Sequence, residues 1–346
     1  MSPSAQTGED STPIARLAVL GGGAWGSVLA ALLAQNGHDV ALYVRTTAQA
    51  DAWREARVDP RGRTTVHLPE RVKPTADLAH ALEGADGAFF VVPNAGLRAL
   101  LEDVRSTGSI PRLSVSCSKG LFAPDLNRPS RLIEGMLGGD VAVLSGPNLA
   151  AEIAEGHPAA ATVAHPNEAR AAQVQGWLSS RRFRVYRDDD VLGVEVAGAT
   201  KNVVALAAGM SDGLGLGENA KAALITRGLA EMIRLGEHLG GRPRTFYGLA
   251  GVGDLIATCA SRASRNHSAG ERMAKGEAAR DVIASGITAE GIATAQAIDT
   301  FAETHGIRLP ISRQVAAVTR DTCSAAQALE ALLAGDARTE WTNTAG

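Results

Sequence analysis

The sequence predicts an α/β protein in two parts: an N-terminal, mostly parallel sheet flanked by helices, then a C-terminal part that is all helical. Three observations predict it. The chain has 346 residues, more than one hydrophobic core usually serves, so two domains are expected. Over the first half, short apolar runs bounded by Gly, Pro or Ser alternate with helical stretches, the pattern of repeated βαβ units. After Arg187 the texture turns Ala-rich and loses β-branched alternation, which reads as helix.

The elements follow in order. Residues 16–20 are an apolar run leading into a glycine-rich turn, and the next stretch reads as a helix to about Asn36 with Gly37 as its C-cap. Residues 39–44, 88–92, 113–117 and 141–144 are expected strands, with a helix at 95–104 among them. Residues 160–163 and 183–186 are expected to extend the sheet. Asp188, Asp189 and Asp190 resemble a helix N-terminus, so a helix should start near Val191. The domain boundary is placed near Val196, dividing the chain into residues 14–195 and 196–346. Further helices are expected over 219–239, 288–305 and 312–333. Residues 1–13, rich in Ser, Thr, Gly and Pro, lack the basic start and apolar stretch of a signal peptide and read as a disordered tail. No apolar run reads as long enough, and free enough of polar interruptions, to span a bilayer.

Composition narrows the function classes. With 45% hydrophobic but only 4% aromatic residues, the core must be mainly Ala, Val and Leu. A net charge of -3 gives no reason to expect a nucleic-acid or membrane-surface partner. Cys117, Cys259 and Cys323 are too scattered for a disulfide framework, and none forms a CxxC pair, so a reduced, metal-free, cytoplasmic protein is expected. Of 34 basic residues only five are lysines: Lys73, Lys119, Lys201, Lys221 and Lys275. In an Arg-biased chain, a retained lysine can mark a need for an amine able to lose its proton.

Gly21, Gly23 and Gly26 form a GxGxxG between an expected strand and an expected helix. The first glycine permits the tight turn, the second lets the backbone approach a pyrophosphate, and the third lets helix and strand pack closely. The helix N-terminus then offers free N–H groups to phosphate, so the first part reads as a Rossmann-type dinucleotide-binding domain. An acidic residue would normally end the second strand to hold the ribose hydroxyls of NAD(H). Here Arg45 follows that strand. It suits a 2′-phosphate, so NADP(H) is preferred and NAD(H) remains possible; a solvated surface arginine is the bland alternative.

Residues 194–210 read as a helix apolar on nearly every side, interrupted by Glu195, Lys201 and Asn202, which are therefore expected in or beside the interior. Burial lowers a lysine's pKa and readies it to take a proton near neutral pH. Asn202 stands seven residues after Glu195 and four after Gly198, on one face. A buried Lys-Glu pair of structural value is the alternative. Asp254, in Gly251-Val252-Gly253-Asp254-Leu255, looks like a carboxylate at a loop-to-helix junction, where it could also cap the helix. Thr258 follows it, and the run Ser264-Arg265-Asn266 supplies the hydroxyl, guanidinium and amide groups suited to a phosphate monoester, with a plain polar turn as the alternative.

These motifs resemble the bacterial-type NAD(P)-dependent glycerol-3-phosphate dehydrogenases over nearly the whole chain, through GGGAWG at Gly21, VPNAGLR at Val92, SKG at Ser118, SGPNLAAE at Ser145, the long stretch from Val185 to Met232, GLAGVGDLIATC at Gly248, SRN at Ser264 and AEG at Ala289. The resemblance implies interconversion of dihydroxyacetone phosphate and sn-glycerol 3-phosphate, serving phospholipid synthesis, by a homodimer. It implies Lys201 as proton acceptor, with Asp254 and Lys119 setting charge around it and Asn202 positioning the substrate. Gly146, Asn148, Thr258, Ser264, Arg265 and Asn266 would line the substrate site. Ala24, Trp25, Arg45, Lys119, Ala150, Arg265 and Glu290 would contact the cofactor. The chain departs from the family pattern at Ala24, Asn148, Ala151 and Thr288. Rival readings are a dehydrogenase of a β-hydroxy acid or ketopantoate, and a non-catalytic NADPH-binding sensor. The first needs a cation aimed at a carboxylate, and the second should have lost Lys201 or Asp254.

Overall fold

The structure is a computed structural model that describes residues 13–334. Eight strands make one sheet: β1 (Arg16–Leu20), β2 (Asp39–Tyr43), β3 (Val72–Thr75), β4 (Gly87–Phe90), β5 (Leu113–Ser116), β6 (Asp140–Ser145), β7 (Ala159–Ala164) and β8 (Phe183–Asp188). Their order is β3-β2-β1-β4-β5-β6-β7-β8, parallel except where β6 meets β7. The parallel crossovers are α1 (Ala24–Gln35), α2 (Thr47–Ala56), α3 (Leu78–Leu82), α4 (Asn94–Thr107) and α5 (Pro129–Leu137), with α6 (Ala150–Ala154) and α7 (Glu168–Leu178) joining the last strands. Leu17, Val19, Leu29, Leu33, Phe89 and Trp177 belong to one buried cluster, and Leu20, Phe90, Leu97, Leu101 and Ile133 to another. Alternate residues of β1 and β4 divide between them, as a sheet covered on both faces requires. The strand order reverses between β1 and β4, so the crevice for a ligand opens at the C-terminal ends of those strands.

The strand expectations hold to within two residues, but β3 was not foreseen. It is four residues long and contains Pro74, which a central strand would not tolerate and an edge strand does. The tail expected over 1–13 lies, but for Pro13, outside the described residues.

The helical part consists of α8 (Val191–Gly213), α9 (Glu218–His238), α10 (Pro243–Phe246), a single π-helical turn (Leu249–Gly253), α11 (Asp254–Ala260), α12 (Arg265–Ala274), α13 (Ala279–Ala284), α14 (Glu290–His305), α15 (Pro310–Thr319) and α16 (Ala325–Leu333). The helix expected over 312–333 is therefore two. The chain breaks after Thr319, passes through Asp321 with φ +57, and restarts at Ser324, whose hydroxyl and Gln327 form a reciprocal capping box.

Helix α8 is the axis of this part. Asp190 caps it, accepting from Gly193 N at 2.8 Å, and residues 193–211 are buried without exception. The boundary expected near Val196 therefore falls inside α8, which packs on β6 and β7 as well as on α9, α11, α12 and α14. By length and apolar composition α8 could cross a membrane, contrary to expectation, yet it is sheathed by protein on all sides. Its contact with α12 is backbone-close. A Cβ on Gly209 would lie 2.0 Å from the His267 carbonyl oxygen, and one on Gly270 would lie 2.1 Å from that of Leu206.

That crossing yields a stability prediction. Gly270→Ala should push the two helices apart and cost about 1–3 kcal/mol, as overpacking does, seen as a lower urea midpoint. An unchanged midpoint would mean that the helices are not in backbone contact.

Candidate functional site

The glycine turn lies at the end of β1. Gly21 has φ +124, and a Cβ there would meet the Val91 carbonyl oxygen at 2.3 Å, so no side chain fits. At Gly26 a Cβ would sit 1.8 Å from the Gly21 carbonyl, which is the close helix-strand packing foreseen for the third glycine. Gly23 faces a roomier space, with only Arg63 Nη1 at 4.0 Å. It stands at the N-cap of α1, where no side chain caps the helix. The cradle therefore fits a dinucleotide pyrophosphate: open at the second glycine, closed at the other two, with uncapped N–H groups facing it. Trp25 is half-buried beside Phe183, and Ala24 offers no hydroxyl. Arg45 is exposed just beyond β2, and Ala150 opens α6.

The second constellation gathers three charges. Lys201 Nζ, on α8, donates to Asp254 Oδ1 at 3.0 Å and to Thr258 Oγ1 at 2.7 Å. Asp254 Oδ2 accepts from Lys119 Nζ at 2.6 Å, and Lys119 also donates to the Gly146 carbonyl at 2.8 Å. Thr258 in turn donates to Asp254 Oδ1 at 3.1 Å. Lys201 is 6% exposed and Asp254 3%, so the charges interact with little solvent screening. Burial lowers the Lys201 pKa to about 8, with the Asp254 carboxylate opposing that and the Lys119 ammonium adding to it. For Asp254, burial alone would raise the pKa, but the charges and hydrogen bonds of Lys119 and Lys201 together hold it below its usual value.

Local sequence explains the placement. The π-helical turn before α11 is tight, since a Cβ on Gly251 would lie 1.9 Å from the Phe246 carbonyl. Asp254 opens α11 with its carboxylate on the lysines, so the alternative role as a helix cap is not realised. The buried Lys-Glu pair is likewise absent. Glu195 accepts from Arg128 Nη1 at 2.9 Å, from Ser130 N at 2.8 Å and from the Ser130 hydroxyl, which joins the N-terminus of α5 to α8. Burial raises its pKa against the opposing pull of Arg128 and Ser130.

A chain of amides ties the parts together. Asn202 Nδ2 donates to the Lys119 carbonyl at 3.1 Å, Asn266 Nδ2 to Asn202 Oδ1 at 2.9 Å, and Gly291 N to Asn266 Oδ1 at 3.0 Å. Of the Ser-Arg-Asn run, Ser264 accepts from His267 N as the cap of α12, Asn266 gives its Oδ1 and one Nδ2 hydrogen to this network, and Arg265 is exposed. Arg265 acts electrostatically on Glu290, whose carboxylate accepts from Asn94 N at 3.0 Å; burial raises the Glu290 pKa against Asn94 and Arg265. Asn148 is half-buried, and its side-chain Oδ1 and Nδ2 have no partner among the described residues. Sequence reasoning missed Ser130 and Arg63, and it quoted Asn94 only within VPNAGLR, without a role. Only tertiary contacts single out Ser130 and give Asn94 its partner, and Arg63 shows in the sequence only as the residue after the Asp59-Pro60-Arg61-Gly62 turn signal.

Two family models match the chain, the N-terminus of NAD-dependent glycerol-3-phosphate dehydrogenase over residues 16–171 and its C-terminus over residues 190–330. A Deinococcus radiodurans protein named glycerol-3-phosphate dehydrogenase (NAD(P)+) is 46% identical over 324 residues, covering 94% of this chain and 96% of its own. A Nitratidesulfovibrio vulgaris protein of the same name is 41% identical over 329 residues, 94% of this chain and 100% of its own. The crystal structure of glycerol-3-phosphate dehydrogenase from Coxiella burnetii superposes with a TM-score of 0.88 at 35% identity, covering 93% of this chain and 99% of that one.

The charge cluster makes one prediction before any reaction is assigned. Asp254→Asn removes the carboxylate that raises the Lys201 pKa while burial and Lys119 still lower it, so Lys201 should titrate below about 8. Nuclear magnetic resonance of the isotope-labelled amine reads this directly. An unchanged or raised value would mean that Asp254 does not set the charge of Lys201.

Proposed function

The chain belongs to the NAD-dependent glycerol-3-phosphate dehydrogenase family, and from that premise we propose that it interconverts dihydroxyacetone phosphate and sn-glycerol 3-phosphate with NAD(P)H. The observation that carries the reading is the buried Lys201 amine, tuned to about 8 between Asp254 and Lys119. An amine so placed exchanges a proton near neutral pH, as interconversion of a ketone and a secondary alcohol requires.

The nicotinamide cofactor supplies the hydride in reduction and receives it in oxidation. The Gly21, Gly23 and Gly26 cradle, with Ala24, Trp25, Ala150 and Glu290 around it, holds the cofactor. Arg45 favours NADP(H) by pairing with the 2′-phosphate, and NAD(H) is also accepted. In reduction, the Lys201 ammonium donates a hydrogen bond to the substrate carbonyl oxygen, then gives up that proton as the oxygen becomes an alkoxide. In oxidation, neutral Lys201 takes the hydroxyl proton. Asp254 and Thr258 aim the amine, and Lys119 adds positive charge beside it. Asn202 and the loop at Gly146 and Asn148 position the substrate carbons; Asn148, with two unpartnered amide atoms, has the capacity to bind them. Arg265, with Ser264 and Asn266, holds the phosphate, whose binding fixes the reacting end.

We take residues 14–195 as the dinucleotide-binding part and 196–346 as the substrate-binding part of a cytoplasmic homodimer supplying glycerol 3-phosphate to phospholipid synthesis. The matched family does not fit the β-hydroxy-acid and ketopantoate alternative. A non-catalytic sensor would have no use for the paired Lys201 and Asp254.

The direct test is NADPH oxidation on addition of dihydroxyacetone phosphate, which the purified protein should catalyse and its Lys201→Ala variant should lose by a factor on the order of a hundred or more. Near-normal turnover in the folded variant would remove Lys201 from the reaction. Arg265→Lys keeps the charge but loses the planar fork. At about 1.5–3 kcal/mol for a charge-assisted hydrogen bond, kcat/KM for dihydroxyacetone phosphate should fall roughly tenfold to hundredfold. Phosphate-free dihydroxyacetone is the control: an equal fall there would assign Arg265 to the cofactor or the fold.

A further inference from the structure

Arg63 lies in the loop between α2 and β3, outside the motifs that assign the function. The loop is built to bring it back to the glycine turn. Arg57 ends α2 with φ +55, and its carbonyl accepts from Leu68 N at 2.8 Å, while Val58 and His67 pair as an antiparallel bridge. Inside this excursion Asp59 organises a tight reversal. Its backbone carbonyl accepts from Gly62 N at 2.9 Å, and its Oδ1 accepts from Arg61 N at 3.0 Å, with Gly62 at φ +64. The reversal delivers Arg63 against the same carboxylate.

The guanidinium is then held as a fork. Nε donates to Asp59 Oδ2 at 3.0 Å and Nη2 to Asp59 Oδ1 at 2.9 Å, and the Asp59 side chain is fully buried. Nη2 also donates to the Gly22 carbonyl at 3.0 Å. These bonds occupy two of the three nitrogens. The third, Nη1, is the atom nearest the open side of Gly23, at the uncapped start of α1. The side chain keeps 33% of its surface exposed. A guanidinium whose rear edge is fixed by a buried carboxylate presents its free edge with little rotamer entropy left to lose, the preorganisation that phosphate recognition rewards.

We propose that Arg63 is a cofactor-binding residue that holds the dinucleotide pyrophosphate, with Asp59 as the positioning residue that aims it. The inference rests on the dehydrogenase reading above and adds a cation which that reading did not contain. Two arginines divide the anionic groups of the cofactor. Arg63 stands over the second glycine, where the backbone admits the pyrophosphate, and Arg45 stands beyond β2, where the ribose is read. Arg63 therefore serves NADPH and NADH alike, and only Arg45 distinguishes them.

The test is direct binding. NADPH, NADH and ADP-ribose are titrated by quenching of tryptophan fluorescence into the full chain and its Arg63→Gln and Arg63→Lys variants. Loss of one charge-assisted hydrogen bond should raise Kd for Arg63→Gln roughly tenfold to hundredfold. The factor should be the same for all three ligands, because all three carry the pyrophosphate. Arg63→Lys keeps a cation beside the buried Asp59 carboxylate, so its affinities should fall between and its ligand-free melting temperature should stay close to that of the unaltered chain, whereas Arg63→Gln strands that carboxylate and should melt lower. Unchanged affinities overturn the proposal, as does a loss confined to NADPH, which would give Arg63 to the 2′-phosphate. An equal loss in both variants with a lowered ligand-free melting temperature also overturns it, leaving Arg63 as a staple on the glycine turn. If the unaltered chain binds none of the three ligands, the dehydrogenase reading itself fails; if it binds them and Arg63→Gln binds equally well, only the role of Arg63 does.

Discussion

The structure depends on one buried carboxylate between two lysines. Asp254 joins Lys119, beyond the end of β5, to Lys201 in the middle of α8, and it enters from a third element, α11. Each charge alone would be costly at such depth. Burial pushes the Lys201 amine from its usual value of 10.5 down to about 8, with the Asp254 carboxylate pulling it back up and the Lys119 ammonium pushing it further down. A catalytic proton carrier needs such a compromise: too little burial leaves a permanent ammonium, and too much leaves an amine that never protonates.

The surrounding polar contacts keep those elements in register. Glu195 on α8 reaches across to the start of α5, and Glu231 on α9 reaches the start of α15, accepting from Ile311 N at 2.6 Å and Ser312 N at 3.0 Å. Both buried carboxylates satisfy helix N–H groups that would otherwise be orphaned; burial raises the pKa of each, and the N–H groups they accept from oppose that rise. The chain Gly291, Asn266, Asn202, Lys119 carries the same discipline through α14, α12 and α8 to the C-terminal end of the interior strand β5. An unbroken run of satisfied hydrogen bonds therefore joins α14 and α12 through α8 to Lys119.

Much of this was legible in the sequence, and the gaps have physical causes. The strands of the sheet announced themselves as apolar runs, whereas β3, held at the edge by Pro74, had no such run to show. The break at Asp321 was hidden because α15 and α16 are both Ala-rich, although Ser324 with Gln327 was a readable capping signal. Lys201 stood out because a lysine in an all-apolar helix demands an explanation. Asp254 was visible, but its partner was not: Lys119 is far away in sequence, and only the resemblance connected them. Ser130 meets Glu195 and Asn94 meets Glu290 across distant segments, and although Arg63 is set locally by Asp59, its contact with Gly22 is one that no local pattern records.

The account turns on Lys201 being the group whose proton the reaction moves. Its most direct measurement is the pH dependence of kcat/KM in both directions on the unaltered protein. Neutral amine is needed for oxidation, so that rate should rise with pH and level off above about 8; ammonium is needed for reduction, so that rate should be level below about 8 and fall above it. Two limbs breaking at a common pH near 8 is the predicted result. An oxidation rate that climbs without a break to pH 10, with no matching break in reduction, would contradict the account, because the proton would then be passing to solvent rather than to Lys201.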